Sequence, residues 1–198
     1  MKKTMILLLV FAMSLFTVGA ANAKSLIDDS SAVIQAIPNE YYPGTSTVIR
    51  PGDVIITNNT SSNGLTGHAG IVIDPGGTIV TIPGYFNKMI RQSVDSWMSS
   101  NPNTKIYRYG NSSTAQAAAD WASTYQRDFV NRVHYGLVNA LGDYGVETYC
   151  SKIVWDAYYF GGGYAIGSHS RYSYYPFTPY EFKALLAFKL VGATGANF

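Results

Sequence analysis

Three turn signals constrain this chain more than any other feature. Pro51-Gly52, Pro75-Gly76-Gly77 and Pro83-Gly84 cut residues 48–84 into apolar pieces too short for helices. Val54-Ile55-Ile56-Thr57 and Thr78-Ile79-Val80-Thr81-Ile82 are rich in β-branched residues, which pack well on a pleated surface. Gly67-His68-Ala69-Gly70-Ile71-Val72-Ile73 lies between them and reads as a third strand of the same kind. The short turn at 75–77 predicts that the strands on either side pair antiparallel. Alternation of side chains then puts His68, Gly70 and Val72 on one face, and a register of the pair that brings Thr81 on the neighbouring strand within reach of the His68 side is one the sequence allows but does not fix.

Beyond residue 84 the pattern turns helical. Residues 94–99 predict a short helix carrying Trp97, residues 104–109 a strand, and residues 114–128 an alanine-rich helix. A loop is expected over 136–145. At Thr178-Pro179-Tyr180-Glu181 a capping box with proline at the first helical position predicts a late helix burying Leu185, Leu186 and Phe188. A further short helix is expected at 26–37. Strands followed by helices make an α+β chain with a segregated antiparallel sheet.

The first residues read as an export signal. Lys2 and Lys3 precede an apolar run over 5–20, and Ala21-Asn22-Ala23 is a small-residue cleavage site. The run is short for a retained span, so removal after Ala23 is expected, leaving residues 24–198 as a single domain with no stable membrane anchor. Without Lys2 and Lys3 the 14 basic residues fall level with the 12 acidic ones. No basic stripe remains to track a phosphate backbone, which argues against nucleic acid as a partner.

An exported chain with one cysteine cannot close an internal disulfide, so the thiol is inert, intermolecular or reactive. Cys150 lies where a turn runs into a helix: Ile153, Val154, Ala157 and Phe160 recur at helical spacing, and Gly161-Gly162-Gly163 is a stop signal. In the first turn, free N–H groups and the positive dipole end favour a thiolate. A thiol nucleophile needs a base, normally histidine, and that histidine needs an orienting group. Of the three histidines, His68 leads, because small neighbours leave room for an imidazole; His134 follows a valine, and His169 reads as solvated in a polar loop. No histidine pair stands at metal-ligand spacing, no Gly-x-Ser-x-Gly elbow is present, and no metal or other cofactor is expected. Sixteen tyrosines, clustered over 158–180, suit either the rim of a β-rich core or a groove that contacts sugars or peptides.

These motifs carry a resemblance. Pro51-Gly52-Asp53-Val54-Ile55-Ile56 followed by Gly67-His68-Ala69-Gly70-Ile71-Val72-Ile73 is similar to the strand motifs of NlpC-type papain-like cell-wall peptidases. In standard members the cysteine helix comes first; here Tyr149-Cys150-Ser151-Lys152-Ile153-Val154-Trp155 follows. That order resembles the circularly permuted YiiX/YaeF/YycO-like amidases, a branch that includes lecithin–retinol acyltransferase relatives. Ile79-Val80-Thr81-Ile82-Pro83-Gly84, Ile106-Tyr107-Arg108 and Phe177-Thr178-Pro179-Tyr180-Glu181-Phe182 match as well.

The resemblance implies a papain-like α+β fold, with a small antiparallel sheet or half-barrel packed on the cysteine helix. It implies Cys150 as nucleophile and His68 as its base and acid. The orienting position falls on Thr81, where many relatives carry glutamate, with Asp74 as the substitute. Lys152 stands where many relatives carry glutamate, and beside Cys150 its charge would favour a thiolate. Tyr149 and Tyr85 are the expected substrate contacts. The implied activity is exported thiol hydrolysis of an amide, such as a peptidoglycan stem peptide. The alternatives are acyl transfer or lipid-ester cleavage on the same fold, or a catalytically weak tyrosine-rich module that binds glycan or peptide.

Overall fold

Strand β1 (Val54–Thr57) is buried along its whole length, because both faces of the sheet it centres are covered. The computed structural model describes residues 40–60, 66–195 and 198. The export signal at 1–23 and the helix expected at 26–37 lie outside the described residues. Six strands run in the order β4-β3-β2-β1-β5-β8, all neighbours antiparallel. They are β2 (His68–Val72), β3 (Thr78–Thr81), β4 (Ile90–Ser93), β5 (Thr104–Tyr109) and β8 (Phe188–Thr194) around β1. The expected antiparallel pair is β2 with β3, in the register Ile71 opposite Val80 and Val72 opposite Ile79.

Alternation along each strand divides the core in two. Val54, Ile56, Ala69, Ile71 and Val80 look to one side, where α2 (Ser112–Phe129) and α3 (Cys150–Asp156) lay down Ala118, Ala122, Ile153 and Val154. Ile55, Val72, Ile79 and Ile106 look to the other, where α1 (Val94–Ser100) inserts Trp97. The cysteine helix and the long alanine-rich helix therefore share one face. Beyond α3 the chain makes a π-helical turn, Ala157–Gly161. A Cβ on Gly161 would stand 2.4 Å from the Ala117 carbonyl oxygen, so the glycine run that stops the helix also lets it lie against α2.

Three elements differ from expectation. The late helix is a single 3₁₀ segment, Pro179–Ala184, ended by Leu185 in an extended conformation. Leu186 is fully exposed rather than buried, and Phe188 is buried as the first residue of β8. The open edge of β5 supplies backbone partners that the helical reading of 185–188 ignored. β4 was not expected, since Ile90-Arg91-Gln92-Ser93 is mostly polar; it is an outer strand whose side chains are half-buried or exposed. A short parallel pair, β6 (His134–Tyr135) with β7 (Glu147–Thr148), closes the loop before the cysteine.

The β3–β4 connection holds an unusual turn. The Asn87 N–H donates to the Gly84 carbonyl at 3.1 Å, and Phe86, third in that turn, has φ 65°. That position favours glycine or asparagine, since a Cβ there meets the backbone. Replacing Phe86 with Asn should stabilise the fold by about 1 kcal/mol, read as a raised urea midpoint at unchanged slope.

Candidate active site

The first residue of β2 and the first residue of α3 meet at one end of the sheet. Tyr149 enters α3 in an extended conformation, so Cys150 is the first helical residue and its thiol faces backbone N–H groups of Cys150, Ser151 and Ala69. Ala69 directly follows His68. The His68 imidazole stacks on Trp97, with ring centroids 5.1 Å apart and planes 13° from parallel. Trp97 is held in turn by its indole N–H, which donates to Thr104 Oγ1 at 3.0 Å. Gly70 admits this arrangement: a Cβ there would lie 2.6 Å from Ile79 Cγ2 and 3.3 Å from the Trp97 ring.

Thr81 sets the state of the imidazole. Its hydroxyl donates to the Ala69 carbonyl at 2.6 Å, and Oγ1 lies 3.1 Å from His68 Nε2. A hydroxyl has one proton, so toward His68 it accepts. Nε2 therefore carries hydrogen, and Nδ1 is left with the basic lone pair. Asp74 is at the other end of β2, where Oδ1 accepts from the Thr78 N–H at 2.9 Å. Thr81 rather than Asp74 is hydrogen-bonded to the histidine.

Burial governs both titrating groups. His68 is pushed down to about 4 by desolvation. Desolvation also pushes the Cys150 thiol up, against the pull of the three N–H groups. The resting pair is neutral thiol and neutral imidazole, which corrects the expectation that the helix start alone makes a thiolate. The Lys152 expectation is corrected too. Lys152 is fully buried and pairs with Asp156 Oδ2 at 2.5 Å, one turn on, while Asp156 Oδ1 accepts the Gly142 N–H at 2.9 Å. Its charge ties the cysteine helix to the preceding loop.

Cys150, His68 and Ser151 open into a cleft of about 1020 Å³. One wall is segment 176–180, pinned to the cysteine helix at both polar groups of one residue. Ser151 Oγ donates to the Phe177 carbonyl at 2.6 Å, and the Phe177 N–H donates to the Tyr149 hydroxyl at 2.9 Å. Tyr149 is accordingly buried as well as lining the cleft. Tyr85 is at the mouth, exposed and tilted against Tyr135 at 4.7 Å. His169, expected in solvent, is bonded through Nε2 to Glu181 Oε2 at 2.7 Å, while Glu181 Oε1 caps the Thr178 N–H at 2.7 Å. His134 is exposed and 3.3 Å from Glu147. Of the clustered tyrosines, Tyr158 is core and donates to the Gly52 carbonyl, whereas Tyr172, Tyr174 and Tyr175 are exposed. Trp97, Ser151 and Phe177 were not singled out as site residues, because each acts across a sequence gap that local pattern does not bridge. Among the described residues, no Asp, Glu, Lys or Arg lines the cleft.

The model of one protein family, described as lipoprotein N-acylation protein LnsA-like, matches residues 1–190. The chain belongs to this LnsA-like family. A curated relative, an uncharacterised 30.3 kDa protein of Bacillus thuringiensis, is 34% identical over 127 residues. That alignment takes in 58% of this chain and 46% of the relative, so the chain spans about half of the relative's length. Among solved structures, the metalloprotein YiiX of Escherichia coli O157:H7 superposes with a TM-score of 0.50 at 11% identity, over 73% of this chain and 97% of that one. The family member and YiiX thus share a fold. Among the described residues, no three His, Cys, Asp or Glu side chains come together as a metal site would require.

Two outcomes follow from the buried groups. A histidine at about 4 when folded and 6.5 when unfolded holds fewer protons in the folded state. Its stabilisation is complete above 6.5 and is lost as pH falls toward 4, so the thermal midpoint should drop across that window and His68→Gln should flatten the drop. Lys152→Ala strands the Asp156 carboxylate and should cost about 3–5 kcal/mol in urea unfolding, with much of that recovered by Lys152→Met combined with Asp156→Leu.

Proposed function

We propose that this chain is an exported thiol acyltransferase that takes an acyl group from a lipid ester and passes it to an amine. The observation that carries this reading is the cleft: among the described residues it is lined by Tyr, Phe, Pro, Leu and Ile together with neutral Asn, Gln and Thr, carries no Asp, Glu, Lys or Arg, and is shared by Cys150 and His68. A stem peptide bears free carboxylate and ammonium groups, and a site built for it would need charged partners. An acyl chain and a glyceryl ester need none. The family's description names N-acylation of lipoproteins, which makes a lipoprotein amine the natural acceptor. The amide-hydrolase expectation gives way to this alternative, and the motif order is read as a permuted papain-like arrangement.

In this reading the thiol and the imidazole both start uncharged, as their burial favours. Cys150 Sγ attacks the ester carbonyl while its proton passes to His68 Nδ1, the nitrogen left free by the Nε2–Thr81 bond. The carbonyl π electrons move to oxygen, and backbone N–H groups at the start of α3 and at Ala69 stabilise that oxyanion. Collapse expels the alkoxide, which takes the proton back from His68, leaving a thioester on Cys150. The acceptor amine then attacks the thioester carbon, His68 accepts its proton, and the thiol leaves reprotonated. Thr81 contributes an acceptor without charge, so it orients the imidazole without stabilising imidazolium. Catalysis by this pair depends on desolvated proton transfer rather than on a standing ion pair.

The test is intact-mass analysis after incubation with a phospholipid, with and without a diacylglyceryl-cysteine peptide. An acyl adduct that hydroxylamine removes, that is absent in Cys150→Ala, and that the peptide amine discharges supports the reading. Release of a cut stem peptide with no acyl adduct defeats it. His68→Ala should slow adduct formation by about 10²–10⁴-fold. Thr81→Val, which keeps the shape and removes both hydrogen bonds, should slow it about tenfold with the fold retained.

A further inference from the structure

We infer that the mouth of the cleft is a membrane-docking rim, in which the Phe86 turn and the Leu137-Val138 loop enter the headgroup layer so that a lipid ester reaches Cys150 without crossing water. The inference rests on the acyl-transfer reading for its purpose, but its structural support is separate. Phe86 is 106% exposed, as open as in an extended chain, at the tip of the β3–β4 turn. It occupies the left-handed position with φ 65°, where a bulky side chain works against the turn. A residue that helps neither the core nor its own backbone marks a site where local preference yields to function.

The Phe86 turn has a neighbour of the same character. Tyr85 leans on Tyr135 across the mouth, and two residues further on Leu137 lines the cleft while Val138 is 71% exposed. Tyr85, Tyr135 and Leu137 thus line the cleft, and Phe86 and Val138 stand exposed next to them in the chain on the same two loops. Cations lie on the same segments of chain. Lys88 follows in the Phe86 turn and donates to Asn131 Oδ1 at 2.8 Å, bridging to the segment that carries Arg132, also exposed. Two acids are near: Asp128, which interacts with Arg132, and Glu147, which faces His134 and accepts the Val138 N–H at 3.2 Å. Aromatic and aliphatic tips with exposed Lys and Arg on the same segments fit an anionic bilayer surface, with rings at headgroup depth and cations on phosphates. Among the described residues no helix is long and apolar enough to cross a membrane, so the contact proposed is one of lying on the surface.

The first measurement is local to the turn. The full chain carrying Phe86→Trp is mixed with vesicles of equal parts phosphatidylglycerol and phosphatidylcholine that contain brominated acyl chains. Insertion quenches the added indole emission beyond any change in the chain with Phe86 intact, whose Trp97 and Trp155 are fully buried and whose Trp121 is half-buried. This readout ignores whatever the N-terminal apolar run does. An unquenched indole at that position overturns the inference. The second measurement compares Phe86→Asp combined with Val138→Asp against the unaltered chain. The pair should lose about tenfold in rate on a vesicle-borne ester and nothing on a short soluble ester. Equal rates on the vesicle-borne ester overturn the inference too. If neither ester acylates Cys150, the acyl-transfer reading fails, and indole quenching still decides whether the rim docks.

Discussion

One hydroxyl proton orders the site. Thr81 is fully buried, and its proton is committed to the Ala69 carbonyl at 2.6 Å, inside the β2–β3 ladder. Because that proton is spent, Oγ1 can only accept from His68, and the imidazole presents Nδ1 as its base. The Trp97 face fixes the ring plane, and Gly70 leaves the space for it. A carboxylate in the place of Thr81 would hold the same tautomer and add charge, raising the basicity of the ring. The threonine leaves His68 weakly basic and uncharged across the neutral range, in keeping with a cleft that has no charged side chain among its described residues.

The cysteine helix shows the same preference for internal satisfaction. Lys152 and Asp156 neutralise each other one turn apart, with the Gly142 N–H completing the carboxylate. A buried pair of this kind adds little net stability over apolar residues of equal size, but removing one partner is costly. Its effect is to hold α3 at a fixed rotation, with Cys150, Ser151 and the Phe177 clamp together on the cleft side.

Much of this was legible in the sequence because the strands are short, β-branched and punctuated by Pro-Gly turns. β1, β2, β3 and β5 are close to where the periodicity puts them, and His68 and Thr81 share a face as alternation requires. The hydrogen bond between them follows from register, which a turn length suggests but does not determine. β4 and β8 escaped because outer strands need not look apolar on both faces. The protonation states escaped for a different reason: a helix start predicts a thiolate, and only the depth of burial around Cys150 shows that desolvation outweighs it. His169 looked solvated because its partner, Glu181, is twelve residues away within a capping box of its own.

The Ser151–Phe177–Tyr149 clamp has a consequence for selectivity. Both backbone polar groups of Phe177 are bonded to the two residues that flank Cys150, so the cleft wall and the nucleophile move as one body. Under the proposed acyl-transfer reading, an acyl group too wide for the cleft would have to drag the sulfur from its amide donors to push the wall aside, so that chain width would be sensed at Cys150 and oversized donors discriminated in turnover more than in occupancy.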